Sequence, residues 1–473
     1  MMEEPPRGNY GHSVAAVPLL PARSSLGTGA IVQRMLEAPV KPALETGAGV
    51  ALEPAAPRWS FARCLGFRFA CVYLVLYSFP FPIGLIPGTA RLGEAYDSLW
   101  RRFLPWLGTS VLHLSEVPLA PTGSGDTTFA YLMLGCMILL ALALTALWTA
   151  LVRPKQHEVL GHWLRVYVRY VLAAAMLGYG MAKVFKSQFP APSELRLMEP
   201  YGDSSPMALL WTFMGFSTPY TIFVGSAEVL GGVLLLFRRT TALGALVVLA
   251  VMSNIVMLNF CYDVPVKLYS VHLWLMAAFL LLPDVPRLVD FFVRNRPTRP
   301  ATLSLPMSQG ATRLRLAGKV LLAGYLLFTT TKGGYESWKT FGDGAARNRL
   351  DGAYDVEELR VNDTAISATA PASRRWRRVG ISTRGRLLIR AMDDSMVRYR
   401  LQNDPKASAL TVWPDTSVVK TTLAYRWRDA SHLDLDGVLA GDKIRVRLRK
   451  IEASQYALLS RGFHWVSELP FNR

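Results

Sequence analysis

The stretch Tyr220-Thr-Ile-Phe-Val-Gly-Ser-Ala-Glu228-Val-Leu-Gly-Gly-Val-Leu-Leu-Leu-Phe237 holds a single charged residue in an otherwise apolar run. A run of this length and apolarity predicts a helix that crosses a lipid bilayer, which needs about twenty apolar residues. Glu228 lies near the middle of the run, close to the bilayer midplane, where a carboxylate is costly and points to function. Small residues beside it, such as Gly225, permit close approach of a second helix.

Comparable apolar stretches elsewhere predict a polytopic α-helical membrane protein with about seven transmembrane helices. With the quoted stretch, the spans cover residues 64–86, 127–151, 164–185, 218–237, 241–260, 266–282 and 314–331. The stretch 96–118 has Trp and Arg spaced for one helix face and predicts an interfacial helix, with these residues: Trp100, Arg101, Arg102, Trp106 and His113. Residues 1–60, rich in Ala, Pro and Gly, predict a disordered N-terminal tail before the helical region 61–332.

Composition and charge agree with a membrane protein, since the chain of 473 residues is 51% hydrophobic and only 18% charged. The net charge is +18, and many of the basic residues flank the spans, where they indicate topology and phospholipid contact, so we expect no nucleic-acid partner. Their distribution predicts a cytoplasmic N-terminus, and an odd number of spans then places residues 333–473 outside. The cysteines form no Cys-x-x-Cys pair, and the spacing of His157 and His162 predicts no metal site.

Residues 333–473 show a different period and predict a soluble, β-rich domain. Three runs alternate apolar and charged residues, which is typical of strands with one face on a core: Val397-Arg-Tyr-Arg-Leu401, Leu433-Asp-Leu-Asp436 and Ile444-Arg-Val-Arg-Leu-Arg449. Turns are predicted between such runs at Asp393-Asp-Ser395, Asp436-Gly437 and Gly441-Asp442. We therefore expect an antiparallel meander closed into a small barrel or sandwich.

Polar residues inside or beside the spans form the candidate site. Two interpretations of Glu228 stay open: it handles a proton or a substrate, or it makes a structural hydrogen bond between helices. Lys183, near the outer end of its span, can extend to the interface or reach toward Glu228. A polar run follows at the same outer level in the fifth and sixth spans: Asn254, Asn259, Tyr262, Asp263, Lys267 and His272. Asn259, Tyr262 and His272 are the members that ordinary loop chemistry explains least.

Two further segments are expected on the same side of the membrane. Gly123-Ser-Gly-Asp126-Thr127 opens the second span, where Asp126 or Thr127 is expected to cap the helix. The chain ends in Arg461-Gly-Phe-His464-Trp465-Val-Ser-Glu-Leu-Pro-Phe-Asn-Arg473, which is either a last strand closing the barrel or a segment packed on the outer mouth of the helical region. This convergence adds Asp126, His464 and Trp465 to the candidate ligand-binding residues.

Two short motifs in residues 164–292 carry a family resemblance. Tyr179-Gly-x-x-Lys183 and Glu228-x-x-Gly-Gly232 resemble the DoxX-like membrane proteins, here within a longer bacterial subgroup that has a C-terminal β-domain. The resemblance implies a four-helix bundle in the bacterial inner membrane, linked in some members to quinone-coupled oxidation or thiol redox balance. Only Lys183 and Glu228 carry over from the family pattern. In architecture alone, helices followed by an external β-domain are also similar to vitamin K-dependent carboxylase-like proteins.

Two functions are compatible with these features. The first is a membrane oxidoreductase or redox-partner subunit that handles a quinone, with Glu228 moving protons and Lys183 or His272 near a quinone carbonyl. No redox centre is encoded, so its electrons would come from a partner protein or a diffusible donor. The second is a non-catalytic envelope protein that binds a lipophilic molecule or a partner through its external β-domain, whose Arg-rich strand faces can meet anionic lipid.

Overall fold

The computed structural model describes residues 59–86, 88–119, 123–153, 157–298 and 309–472. The tail predicted for residues 1–60 falls outside these ranges apart from its last two residues. The helices before the β-domain are α1 (Phe61–Ser78), α2 (Ala90–Trp106), α3 (Thr128–Leu151), α4 (Glu158–Val184), α5 (Glu194–Met198), α6 (Pro206–Phe216), α7 (Thr218–Leu236), α8 (Thr241–Cys261), α9 (Lys267–Leu281), α10 (Val285–Phe292) and α11 (Gln309–Thr340).

A helix lies at each place where the sequence predicts a span. Within the described residues, five helical segments are long and apolar enough to cross a membrane: Phe61–Ser78, Thr128–Leu151, Thr218–Leu236, Arg238–Cys261 and Lys267–Phe292. The other two, α4 and α11, are long but less uniformly apolar. The first span is shorter than predicted, because α1 ends before Phe79-Pro80-Phe81-Pro82 and proline lacks the amide hydrogen that would continue a helix. The predicted amphipathic stretch is helical as α2, with Arg101, Arg102 and Trp106 exposed.

Four helices pack in a ring, α4 on α7, α7 on α8, α8 on α9, and α9 on α4. Their shared core is apolar, with Leu172, Met176 and Leu235 almost fully buried. α1 and α3 pack against each other, and α11 packs on α4. Several helices begin at polar caps that the sequence supplies, such as Thr127, whose hydroxyl accepts a hydrogen bond from the amide of Ala130 at 3.2 Å.

The C-terminal region is a closed antiparallel barrel, so the barrel alternative is confirmed over the sandwich. Its strands are β1 (Gly352–Val361), β2 (Thr364–Ala365), β3 (Trp376–Ser382), β4 (Arg386–Ala391), β5 (Met396–Asp404), β6 (Ala409–Pro414), β7 (Thr421–Trp427), β8 (His432–Leu439) and β9 (Asp442–Lys450). The short β2 is appended to β1, and pairing of β1 with β9 closes the other eight strands. Alternate side chains fill the interior, among them Tyr354, Ile381, Leu410 and Val446.

Three predictions for the β-domain have different outcomes. The alternating runs are confirmed as β5, β8 and β9. The turn predicted at Asp436-Gly437 is wrong, because both residues lie inside β8, where Gly437 pairs with Leu423 on one side and Ile444 on the other. The closing strand predicted at the C-terminus is also wrong: residues 461–472, which include His464 and Trp465, form no strand. β9 already pairs with β8 on one side and β1 on the other, so the barrel closes without a further strand.

Candidate functional site

An ion pair between α4 and α7 forms the centre of the candidate site. Lys183 Nζ lies 2.8 Å from Glu228 Oε1 and donates a hydrogen bond to Oε2 at 3.0 Å. Both side chains are buried, Glu228 with only 1% exposed. The second interpretation of Lys183, that it reaches toward Glu228, is therefore confirmed. A buried charge of either sign is stable only when it is paired in this way.

The pair forms because the two helices touch at glycine. A Cβ atom on Gly225 would lie 2.7 Å from the carbonyl oxygen of Gly180 and 2.8 Å from Cβ of Lys183, so only hydrogen fits there. Gly180 is equally confined, with the carbonyl oxygen of Gly225 at 2.8 Å from the Cβ it lacks. Lys183, one turn after Gly180, lies beside Gly225, and Glu228 follows Gly225 by one turn, so the close approach of the helices brings the two side chains together. The small residues that the sequence places beside Glu228 thus set the geometry of the pair.

The pair borders a cavity of about 100 Å³ that is lined mainly by α4, α6, α7, α8 and α9. Its walls are mainly apolar: Met176, Phe189, Leu210, Trp211, Met214, Val224, Met252, Ile255, Leu258, Val264, Val266 and Leu273. Polar residues reach the same space, namely Tyr179, Lys183, Gln188, Tyr220, Glu228, Asn254, Asn259, Tyr269 and Ser270. A space of this size has room for several waters or for the polar head of a small molecule.

Three polar atoms at the cavity lack hydrogen-bond partners among the described residues. They are Glu228 Oε1, Asn259 Nδ2 and Gln188 Oε1. Glu228 Oε1 is close to the lysine ammonium but is not aligned for a hydrogen bond, so it can still accept one. Asn259 is 5% exposed, and its free amide can donate. Buried polar groups are almost always satisfied, so these atoms indicate a site that accommodates something polar.

His272 belongs to a separate cluster. Its Nε2 lies 2.5 Å from the Tyr73 hydroxyl and its Nδ1 lies 2.6 Å from the carbonyl oxygen of Leu268. The Tyr77 ring stacks on the imidazole at 3.9 Å between centroids. Both ring nitrogens are engaged and the residue does not line the cavity, so the structure does not bring His272 to the ion pair. The reason is that α1, distant in sequence, packs its tyrosines onto α9.

The residues Asp126, Asp263 and Lys267 come together in a loop contact at one end of the cavity. Asp126 accepts hydrogen bonds from the backbone amides of Lys267 at 2.8 Å and Leu268 at 3.0 Å, so it caps α9 and Thr127 caps α3. The Lys267 ammonium lies 2.8 Å from Asp263, whose side chain is exposed. Their predicted convergence is confirmed, and its immediate role is to hold two loops together.

Tyr262, His464 and Trp465 are placed apart from the ion pair. Tyr262 packs in a small apolar cluster with Phe189 and Val264, which themselves line the cavity. His464 and Trp465 lie on the exposed C-terminal segment, and Trp465 is 91% exposed. Among the polar residues that the sequence singled out for the main site, the cavity thus unites Glu228, Lys183, Asn254 and Asn259.

Lys186 is a buried residue that the sequence does not single out. Its ammonium donates to the carbonyl oxygen of Gly215 at 3.0 Å and to the Thr218 hydroxyl at 2.9 Å, and it pairs with Asp343 at 2.9 Å. Asp343 also accepts a hydrogen bond from the amide of Ala191 at 2.7 Å. This lysine therefore fixes the end of α4 to α6, to α7 and to the linker before the barrel. A lysine just beyond an apolar span is usually an exposed anchor at the membrane interface. The sequence therefore does not distinguish a buried Lys186 from such an anchor.

The segment 188–216, here called the strap, connects the cavity to the barrel. Both of its ends line the cavity, with Gln188 and Phe189 at one end and α6 at the other. Between them α5 lies on the outer wall of the barrel, where Leu195 and Met198 approach Gly380 so closely that a Cβ there would be 3.0 Å from each. The carbonyl oxygen of Met198 accepts a hydrogen bond from Arg390 at 2.7 Å. The sequence contains one indication of this contact. In Leu387-Leu-Ile389 the strand β4 has apolar residues on both faces, which indicates that its outer face is also covered.

The arginine-rich strand faces of the barrel carry their own counter-ions. Arg445 Nε lies 2.8 Å from Asp436, Arg428 Nε lies 2.6 Å from Asp434, and Arg400 Nε lies 2.8 Å from Asp415. These are exposed pairs, most of them between neighbouring strands. The arginines therefore already have carboxylate partners within the domain.

Comparison with known proteins gives one informative result. No family model and no solved structure matches the chain. It is 37% identical over 130 residues to "Uncharacterized protein YwoB" of Bacillus subtilis (strain 168), a match that spans 27% of this chain and 81% of that protein. With that identity over so much of the relative, the chain belongs to the family of the Bacillus subtilis protein YwoB.

Proposed function

We propose that this chain is a DoxX-like integral protein of a bacterial inner membrane that binds a quinone in the cavity beside Lys183 and Glu228. It would act as a quinone-linked oxidoreductase or as a subunit that passes electrons to a redox partner. The observation that carries the proposal is the largely apolar cavity with an ion pair and a free amide on its wall. Buried ionisable residues in membrane segments are retained where they serve a substrate or a proton.

The free polar atoms suit both redox states of a quinone. An oxidised quinone offers carbonyl oxygens, which accept hydrogen bonds from the Lys183 ammonium and the Asn259 amide. The reduced form offers hydroxyl groups, which donate to Glu228 Oε1 and Gln188 Oε1. Reduction of a quinone takes two electrons and two protons, and the carboxylate and the ammonium beside it can exchange protons with the bound head. The electrons would come from a partner subunit or a diffusible donor.

The proposal includes seven spans, a cytoplasmic N-terminus and an external barrel. The five apolar segments support it directly. Of the charges that make α4 less apolar, Lys183 is paired with Glu228 and Arg165 with Asp284 at 3.3 Å, and paired charges can be held within a helical bundle. The cavity then opens toward the outer leaflet, on the side of the strap.

Ubiquinone-1 binding to the protein in nanodiscs, measured by calorimetry, tests the site. The charge-balanced double variant Lys183→Met/Glu228→Leu should bind about tenfold more weakly or worse, because hydrogen bonds to charged groups contribute about 1.5–3 kcal/mol. The matched control is Lys332→Met/Glu336→Leu, which removes an exposed ion pair of α11 and should bind like the wild type. The idea fails if the wild type does not bind ubiquinone-1 or if the two double variants bind equally.

A second candidate is non-catalytic binding of a lipophilic molecule in the same cavity. It is favoured by the mutual neutralisation of Lys183 and Glu228, which lets the cavity hold a ligand without any proton transfer. The variant Glu228→Gln separates the candidates, since it keeps a hydrogen-bonding group but cannot carry a proton. Binding without quinone reduction in membranes of the variant supports the first candidate. If membranes with the variant reduce quinone as fast as membranes with the wild type, Glu228 supplies no proton to the reaction, and the second candidate is supported.

A further inference from the structure

The chain enters and leaves the barrel at the same end. β1 begins at Gly352 and β9 ends at Lys450, and the two strands pair antiparallel, with Tyr354 opposite Lys450. The Lys450 ammonium donates to the carbonyl oxygen of Arg349 at 2.7 Å, just before β1. The chain arrives there from α11 through Asp343, which is bound to Lys186 at the end of α4. This end of the barrel is therefore the end nearest the helical bundle.

The residues after β9 continue along the side that faces the helices. Ile451 packs with Met198 of the strap in a small apolar cluster, and Tyr456 lies against that cluster. A short helix, α12 (Ala457–Ser460), follows. The remaining segment 461–472, here called the tail loop, follows directly after this contact with the strap.

The tail loop is folded on itself with its large apolar side chains turned outward. Arg461 donates a hydrogen bond to the Ser467 hydroxyl at 3.2 Å, and its guanidinium lies 4.3 Å from the centroid of the Phe471 ring. The rings of Phe463 and Trp465 meet edge to face at 5.1 Å. Most of the apolar side chains remain exposed, including Trp465 at 91% and Leu469 at 80%. An exposed apolar group of this kind on a folded loop indicates a binding surface.

We propose that the tail loop inserts into the interfacial layer of the lipid bilayer beside the helical bundle. Its composition of Trp, Phe, Leu and Arg with a single carboxylate, Glu468, is that of segments that lie at the boundary of headgroups and acyl chains. The barrel walls elsewhere carry paired charges, which suit water. Insertion tethers the barrel at two points, through α11 and through the tail loop. This inference rests on the membrane insertion proposed above but not on the ligand of the cavity.

Site-specific fluorescence in nanodiscs tests the insertion. In a variant with Cys136→Ser and Cys261→Ser, single labels are placed by Ser467→Cys in the tail loop, Leu139→Cys on α3 and Val418→Cys between β6 and β7. Leu139 is an exposed side chain of an apolar helix, and Val418 is 91% exposed at the barrel end opposite Gly352 and Lys450. An environment-sensitive dye is attached to each cysteine. Its emission is compared between nanodiscs of brominated phosphatidylcholine and nanodiscs of ordinary phosphatidylcholine.

We expect bromine to quench the dyes at 467 and 139 and to leave the dye at 418 unchanged. At 467 about half of the emission should be lost, because interfacial segments lie about 5–10 Å into the boundary layer. Quenching at 139 but not at 467 would overturn the proposal for the tail loop while leaving the membrane protein intact. Absence of quenching at 139 would instead refute the membrane insertion of the helices. A dye at 467 that is shielded from water but insensitive to bromine would indicate a protein partner and would also overturn the proposal.

Discussion

Charged side chains lie inside the helical bundle and outside the barrel. In the bundle, Lys183 and Glu228 are buried together, and one carboxylate oxygen has no hydrogen bond among the described residues. In the barrel, pairs such as Arg445 with Asp436 are exposed around an interior of apolar side chains. Exposed pairs contribute about 0–1 kcal/mol, whereas a buried pair is costly to form and costlier to break. The difference is that the barrel keeps its charged pairs in contact with solvent, whereas the bundle buries a charged pair beside a cavity.

The largest effect is expected from breaking the buried pair. Lys183→Met leaves Glu228 buried without a partner and should lower the free energy of unfolding in detergent by about 3–5 kcal/mol. The double variant Lys183→Met/Glu228→Leu should recover most of this loss, since no unpaired charge remains. Denaturant unfolding followed by circular dichroism measures both. If the single variant is as stable as the double variant, the pair does not carry the buried charge we assign to it.

The next effect concerns the strap, which joins the two regions. Met198→Ala removes a fully buried side chain between α5 and the barrel wall and should cost about 2–5 kcal/mol. Because both ends of the strap line the cavity, ubiquinone-1 affinity should fall as well. Met392→Ala, at a half-exposed methionine after β4, is the control and should change neither quantity. Loss of stability with unchanged affinity would show that the barrel and the cavity are independent.

A smaller effect is expected at the glycine contact between α4 and α7. Gly225→Ala places a methyl group against the backbone of Gly180, which cannot yield easily, and should cost about 1–3 kcal/mol and separate Lys183 from Glu228. Gly178→Ala adds the same methyl group to α4 where nothing lies within 4 Å. It should be neutral or stabilise the helix by about 0.5–1 kcal/mol. Equal destabilisation by both substitutions would contradict a close contact at Gly225.

The smallest effect is expected from an exposed charge of the barrel. Backbone amides of Ser431 and His432 donate to Asp429 and hold its pKa well below the usual value for aspartate. A depressed pKa in the folded state stabilises above the unfolded pKa, about 3.9, and the contribution is lost as the pH falls below it. Asp429→Ala should therefore lower the melting temperature slightly at pH 7, and the difference should shrink below about pH 4. A difference that grows in acid would refute this role.

The sequence predicts local structure in both regions for the same physical reason. Long apolar runs give the helices and period-two alternation gives the strands, because each pattern reports which side of an element is buried. Contacts between distant elements are not encoded in such patterns. Whether Lys183 meets Glu228 depends on the rotation of two helices about Gly180 and Gly225, and His272 finds Tyr73 only because α1 packs on α9. Likewise, β9 closes on β1 through a register that no local motif specifies.

The strap has a consequence for the order in which the protein is made. The helices leave the ribosome first, and domains generally fold from the N-terminus as they emerge. The barrel wall that holds α5 consists of β1, β3 and β4, and the barrel cannot close until β9 has been synthesised. The part of the strap that lies on the barrel, α5, is therefore fixed only after nearly the whole chain exists. Until then α5 has no wall to pack on, although Lys186 already holds α6 at the end of α4.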